Sequence, residues 1–151
     1  MKEENSPLPY VKVINTSPFA LPAKQTGGAS GYDLFANLSS PKVLFPMERY
    51  LAPTGLYFEI PMGYEAQIRP RSGLAWESGI TVLNSPGTID SDYRGEIKVL
   101  LINLGSEPYT IMPGQRIAQV VFVPILNILL QETPSLSYTA RGEQGFGHTG
   151  K

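Results

Sequence analysis

Arg71, Ser72 and Gly73 sit together in the run Pro70-Arg71-Ser72-Gly73-Leu74-Ala75. They combine a guanidinium, a hydroxyl and a residue whose missing side chain lets backbone approach a ligand. A guanidinium forks onto carboxylate or phosphate, and N–H groups at the start of a helix add partial positive charge, so the set suits an anion. An ordinary capped helix carrying a surface arginine accounts for the same residues about as well. A second concentration of chemistry runs from Asn84 to Glu96, NSPGTIDSDYRGE. Asp90 follows apolar Ile89, where burial would desolvate it and make it a candidate base for activating water. Asp92 and Arg94 could solvate a loop tip, and Tyr93 could simply pack. The Asp90-x-Asp92 pair is weak as a metal site, because no further acidic ligands follow at calcium-loop spacing. Asp33, in Gly28 to Ala36, is a single carboxylate on a predicted strand, for which a turn and an edge strand suffice. Gln119 is a polar residue within the apolar pattern of Pro113 to Pro124, and if buried it needs a partner, from backbone or from a ligand.

The C-terminal run Arg141-Gly-Glu-Gln-Gly-Phe-Gly-His-Thr-Gly-Lys151 contains G-x-x-x-x-G-K. A Walker A loop lies between a strand and a helix, with Ser or Thr after the Lys. None follows Lys151, so the P-loop reading is set aside. A solvated tail is the common alternative. Phe146 does not suit one, however, and Arg141 leads into backbone N–H groups with little side-chain cover. An arm that orders over a bound anion and lays Phe146 on a flat ring accounts for both.

Short strands must position these groups. Tyr64, Ala66 and Ile68 share one face of an alternating segment, with Glu65, Gln67 and Arg69 on the other. Ile97 to Ile102 is apolar on both sides towards its end, as a strand buried on two faces would be. Val11 to Ile14, Lys42 to Phe45, Gly55 to Ile60, Ile80 to Leu83 and Ile117 to Val123 add further strands. Turn signals separate them at Ser40-Pro41, Ala52-Pro53-Thr54-Gly55, Pro61-Met62-Gly63, Ser85-Pro86-Gly87 and Met112-Pro113-Gly114. Asn84 to Glu96 has the length of a hairpin connection. One helix of about two turns is expected, with Ser72 as its cap, Leu74 to Ser78 as its body and Gly79 at its end. The expected fold is all-β: a single-domain, jelly-roll-like sandwich or barrel with one short helix and a flexible C-terminal arm. The core spans residues 1–137 and the arm residues 138–151.

The bulk composition narrows the chemistry. The chain has 151 residues, enough for one domain with a real core. Its 15 glycines and 14 prolines are dispersed, which favours many short elements. A net charge of −1 offers no basic field for DNA or RNA. There is no cysteine, which excludes thiolate catalysis and Cys-based zinc sites, and His148 is the only histidine. Any metal must be a hard ion held by oxygens or by a ligand's phosphates. Val120 to Leu130 is too short an apolar run to span a bilayer and contains Pro124, so it reads as a core or interface strand. Met1 to Pro9 has no apolar signal-peptide core, and a cytoplasmic location is expected.

Five segments in order resemble the motifs of the trimeric dUTP pyrophosphatase (dUTPase) family. They are Gly31-Tyr32-Asp33-Leu34, Pro70 to Ala75, Gly87-Thr88-Ile89-Asp90-Ser91-Asp92-Tyr93-Arg94-Gly95, Gly114-Gln115-Arg116-Ile117-Ala118-Gln119, and Arg141-Gly142 through Gly145-Phe146-Gly147-His148-Thr149-Gly150. The resemblance covers nearly the whole chain. It implies a homotrimer with active sites shared among subunits. The implied reaction is hydrolysis of dUTP to dUMP and pyrophosphate with Mg²⁺ on the triphosphate, limiting dUTP and supplying dUMP for thymidylate synthesis. Carried over, Asp90 would orient and deprotonate the attacking water. Tyr93 would stack on the deoxyribose and exclude a 2′-hydroxyl. Asn84 and the backbone around Gly87, Thr88, Ile89 and Lys98 would read uracil. Arg71, Ser72 and Gly73 would hold phosphate, and Gln119 would contact the phosphate end. Arg141 would reach the γ-phosphate, and Phe146, with Gly147 beside it, would cover the uracil ring. Asp33 would either sit near the magnesium waters or hold the site's structure.

The sequence departs from the family pattern at Gln144, where a glycine is usual, at His148 and at Ser30. It also departs at Trp76, which would pack at a subunit contact. A dCTP deaminase on the same fold resembles the chain over the second and third motifs but lacks the Gly-rich arm. A non-catalytic, nucleotide-sensing domain would not need Asp90.

Overall fold

A computed structural model describes residues 8–145. Ten strands and one helix follow in the order β1 (Lys12–Asn15), β2 (Tyr32–Phe35), β3 (Lys42–Leu44), β4 (Arg49–Glu59), β5 (Tyr64–Arg69), α1 (Ser72–Ser78), β6 (Ile80–Val82), β7 (Gly87–Ile89), β8 (Glu96–Asn103), β9 (Tyr109–Ile111) and β10 (Arg116–Pro124). Two four-stranded sheets, β1-β4-β8-β6 and β2-β10-β5-β7, and the small pair β3-β9 make up the architecture. Every strand pairing is antiparallel. Side chains of both larger sheets, among them Leu34, Ala66, Ile68, Ile97, Leu101 and Val120, are buried in one core cluster. This is the jelly-roll-like sandwich expected, and its sheets do not close into a barrel.

Alternation decides which face of each strand is buried. In β5, Ala66 and Ile68 are buried while Arg69 is exposed. In β8, Val99, Leu101, Ile102 and Asn103 are all buried, as the loss of alternation near its end predicts. The turn expected at Ala52-Pro53-Thr54-Gly55 is instead internal to β4. The ladder to β8 shifts register between Pro53 and Leu56, and Gly55 has φ 71°. Proline has no N–H to give a ladder and glycine takes positive φ freely, so the two residues mark a β-bulge rather than a chain reversal. Thr54, 2% exposed, accepts the Leu56 N–H at 3.2 Å, and Glu96 Oε1 accepts the Gly55 N–H at 2.9 Å. The backbone donors of the bulge are thereby satisfied.

The segment Asn84 to Glu96 is more than a hairpin tip. β6 and β8 do pair, with Ile80 opposite Asn103 and Val82 opposite Leu101. The chain between them crosses to the other sheet, where β7 pairs with β5. The helix also differs in detail. Arg71, in extended conformation, is its N-cap, with no side-chain cap hydrogen bond; Ser72 lies inside the first turn. Gly79 ends the helix in the left-handed region, with φ 68°. A side chain there would drive its Cβ to 2.6 Å from Gly105 Cα, so glycine is required twice over.

Val120 to Leu130 divides at Pro124. Its first part completes β10, and Val120 is buried in the core. After it, the Ile125 N–H donates to the Gly63 carbonyl at 2.9 Å. Beyond that, Leu126, Ile128, Leu129 and Leu130 are 71–98% exposed. Among the described residues no helix is long and apolar enough to cross a membrane.

Candidate active site

The residues expected to hold an anion gather where β2, β10 and the β5–α1 corner meet. Gln119 on β10 lies opposite Asp33 on β2 and opposite Arg69 on β5. Its amide donates to the Pro70 carbonyl at 3.0 Å, which pins the corner leading into Arg71. Gln119 is half-buried, and the partner its amide finds is backbone. Gly31 makes room for it: a Cβ there would collide with Gln119 Oε1 and lie 3.1 Å from Gln119 Cβ.

Asp33 faces two guanidiniums. Arg71 Nε lies 3.4 Å from Oδ1, and Arg116 Nη1 donates to Oδ2 at 3.1 Å. Arg71 Nη1 also donates to the Arg116 carbonyl at 2.9 Å. The Asp33 side chain is only 13% exposed, against 30% for Arg71 and 42% for Arg116. Two cations around one carboxylate leave a net positive charge that opens to solvent. Ser72 and Gly73 continue from Arg71 and are exposed, and a Cβ built on Gly73 meets nothing within 4 Å.

Arg116 carries no expected role from the sequence, although it lies within Gly114 to Gln119, three residues before Gln119. The β2–β10 ladder slips between Arg116 and Ala118, and this irregularity breaks the alternation that would have placed Arg116. The available signal was a guanidinium directly beside buried Ile117 in a core strand.

The second group lies on the crossover between β6 and β8. Gly87, Thr88 and Ile89 of β7 pair with Ile68, Gln67 and Ala66 of β5. Gly87 is buried, and a Cβ there would lie 3.2 Å from the Asn84 amide nitrogen and 3.3 Å from Ile68 Cβ. Glycine thus lets Asn84 lie against the β7 backbone. A turn then follows, in which the Tyr93 N–H donates to the Asp90 carbonyl at 3.2 Å. The Tyr93 hydroxyl donates to the Glu96 carbonyl at 3.2 Å, and the ring lies across Gly95. Asp90 is exposed. The desolvation expected beside Ile89 is therefore not supplied within the chain. Lys98 is exposed on β8 opposite Pro53, with Nζ 3.6 Å from Glu96.

Strand β5 separates the two groups. β7 runs antiparallel to it from Gly87 opposite Ile68 to Ile89 opposite Ala66, so Asp90 continues towards Glu65. Arg71 follows the other end of the strand. Six residues of extended chain from Glu65 to Arg71 span roughly 20 Å. The structure therefore brings Asp33, Arg71, Arg116 and Gln119 together, and separately Asn84, Gly87, Thr88, Ile89, Asp90 and Tyr93. It does not bring Asp90 to Arg71 in one chain.

Arg141 is exposed, and its Nε donates to the Gln144 carbonyl at 2.9 Å. Gly142 takes positive φ, 54°, and Gln144 does not. Phe146 and Gly147 lie outside the described residues. Trp76 is 90% exposed on α1.

The family resemblance implies a magnesium ion. Among the described residues no three His, Cys, Asp or Glu side chains gather around one point. Both oxygens of Asp33 face guanidiniums. The donor set suits an ion carried on a ligand's phosphates and does not form a protein cage.

Known proteins are similar to this chain in sequence and in fold. The family model described as dUTPase matches residues 17–150. A deoxyuridine 5′-triphosphate nucleotidohydrolase of Cytophaga hutchinsonii is 57% identical over 141 residues, covering 93% of this chain and 92% of its own. Another, from Brucella melitensis, is 54% identical over 145 residues, covering 95% and 92%. The dUTPase of Staphylococcus bacteriophage 80alpha, solved with dUPNHPP, superposes with a TM-score of 0.82 at 27% identity, covering 94% of this chain and 99% of its own.

Proposed function

The chain belongs to the dUTPase family, and on that footing we propose that its reaction runs in clefts shared between the protomers of a homotrimer. The reaction itself is the hydrolysis of dUTP to dUMP. The observation that carries the shared cleft is the length of β5. A water-activating carboxylate must stand within hydrogen-bond reach of the water it deprotonates. Asp90 and Arg71 of one protomer are too far apart to serve the same phosphate chain. A second protomer supplies the missing half. Exposed Trp76, Leu126, Leu129 and Leu130, each 83–98% accessible in the isolated chain, are the apolar surface such an assembly would cover.

In this cleft Arg71, Ser72, Gly73 and the corner pinned by Gln119 hold the phosphates. Asn84 and the backbone of Gly87, Thr88 and Ile89, with that of Lys98, read the uracil edge. A base whose donors and acceptors mismatch leaves these groups unpaired and is rejected. Asp90 orients a water and takes its proton as the oxygen attacks phosphorus. The bond between the α- and β-phosphates breaks, and pyrophosphate leaves with its electron pair. Exposed as it is, Asp90 works through position more than through burial. Magnesium, when bound to the triphosphate, supplies charge neutralisation for the leaving pyrophosphate. Asp33 faces Arg71 and Arg116, which favours its holding the site over its meeting the magnesium waters. Arg141 reaches the γ-phosphate, and Phe146 and Gly147 cover the base, as the arm of residues 138–151 closes over the core of residues 1–137. The substrate is a free nucleotide of the cytoplasm, where we propose the enzyme acts.

Tyr93 makes the discrimination against ribose testable. Its ring occupies the space a side chain at Gly95 would need, with the hydroxyl and the ring carbon bearing it in direct conflict with a new Cβ. Gly95→Ala should displace the ring while leaving Asp90 and Arg71 intact. The expected result is a loss of preference for dUTP over UTP by about tenfold or more, the scale of a lost close packing contact. Unaltered discrimination would remove Tyr93 from this role.

The activity is tested by incubating the protein with dUTP and with dCTP and following pyrophosphate and ammonia. Pyrophosphate from dUTP is expected, with neither product from dCTP. Ammonia release from dCTP would identify a deaminase instead, and binding without any turnover would identify a sensor.

A further inference from the structure

We propose that Arg116 is a positioning residue for Arg71: it shares the Asp33 carboxylate and so leaves the charge of the Arg71 guanidinium uncompensated towards the substrate's phosphates. This rests on the reading of Arg71 as a phosphate-binding group. Arg71 is held at two points, Nε towards Asp33 Oδ1 at 3.4 Å and Nη1 on the Arg116 carbonyl at 2.9 Å. Its remaining N–H groups, on Nη2 and the second position of Nη1, are left for an incoming oxygen. Arg116 Nη1 takes the other carboxylate oxygen at 3.1 Å. The three side chains sum to one positive charge. Without the Arg116 guanidinium, Asp33 would neutralise Arg71 alone, in a site where Asp33 is only 13% exposed and solvent screens weakly. The carboxylate would then compete with phosphate for the same fork.

The arrangement predicts a rescue that simple destabilisation would not produce. Arg116→Gln should leave a neutral Arg71–Asp33 pair and weaken binding. Adding Asp33→Asn should remove the competing carboxylate and restore a single free cation on Arg71. Arg116→Lys keeps the charge and should behave close to the native protein.

The test measures the affinity of a non-hydrolysable dUTP analogue by calorimetry in chelator, with deoxyuridine as a phosphate-free control. It is paired with kcat and KM for dUTP on the same proteins. Arg116→Gln should weaken analogue binding and raise KM by about tenfold, the scale of one lost charge-assisted contact, with deoxyuridine affinity unchanged. The double variant Asp33→Asn/Arg116→Gln should regain most of the loss. The inference is overturned if Arg116→Gln binds the analogue like the native protein, if deoxyuridine weakens in parallel, or if the double variant is no better than the single one. A native protein that fails to turn over dUTP would overturn the function itself and this inference with it, which separates the two failures.

Discussion

Asp90→Asn is expected to bind dUTP almost normally and to lose most of its turnover. Asparagine keeps the shape of aspartate and one of its acceptor oxygens, so a water can still be held, but the amide cannot take its proton. Removing a positioned general base typically costs about 10²–10⁴ in rate, so kcat should fall by about 10³ with KM changed little. Fold stability should be unaffected, because Asp90 is exposed at the end of β7. Steady-state kinetics on pyrophosphate release, together with analogue binding, checks this. A variant with native kcat would show that Asp90 is not the base.

Deleting residues 141–151 carries the second large effect. Residues 141–144 are exposed and belong to no strand, and the deletion leaves Trp76, Leu126, Leu129 and Leu130 in place, so the truncated chain should keep its core and the apolar surface proposed for assembly. Its melting temperature should stay within about 2 °C of native, as expected for surface changes of about 0.5 kcal/mol or less. Catalysis should not survive so well. Without Arg141 on the terminal phosphate and Phe146 on the base, the cleft stays open to water and the phosphates lose one charge-assisted partner. We expect kcat/KM to fall by about 10²-fold or more, the scale of such electrostatic losses. Full activity in the truncated enzyme would reduce the run to an ordinary tail.

Much of the fold is legible in the sequence. Period-two alternation located Tyr64 to Arg69 to the residue, because one face of that strand is buried and the other is not. Val11 to Ile14, Lys42 to Phe45, Ile80 to Leu83, Ile97 to Ile102 and Ile117 to Val123 differ from the observed strands by no more than one residue at each end, whereas Gly55 to Ile60 is only the second half of β4, which begins at Arg49, and the short β9 carries no such signal. The bulge at Pro53 and Gly55 was not legible, since proline and glycine mark both turns and bulges; only the ladder between β4 and β8 tells them apart. The same limit hid the crossover at Asn84 to Glu96, because local pattern does not say which sheet a three-residue strand such as β7 joins.

The candidate site was legible as a list and not as an arrangement. Arg71, Asp90 and Tyr93 carry recognisable chemistry in sequence. Asp33 read as an isolated carboxylate because its partners, Arg71 and Arg116, lie 38 and 83 positions away in the chain. The separation of Asp90 from Arg71 follows from which strand lies between them, and that is a property of the fold.

The shared cleft is the central claim, and mixing two inactive variants tests it most directly. Asp90→Asn and Arg71→Ala should each be nearly inactive alone. If each site takes Asp90 from one protomer and Arg71 from another, random co-assembly of equal amounts places two native halves together in about a quarter of sites, as symmetric assembly requires. Unfolding and refolding the two variants together should therefore recover about a quarter of native turnover, while each variant refolded alone recovers none. A mixture as inactive as its components would mean that Asp90 and Arg71 serve the same site from the same chain, against the geometry of β5.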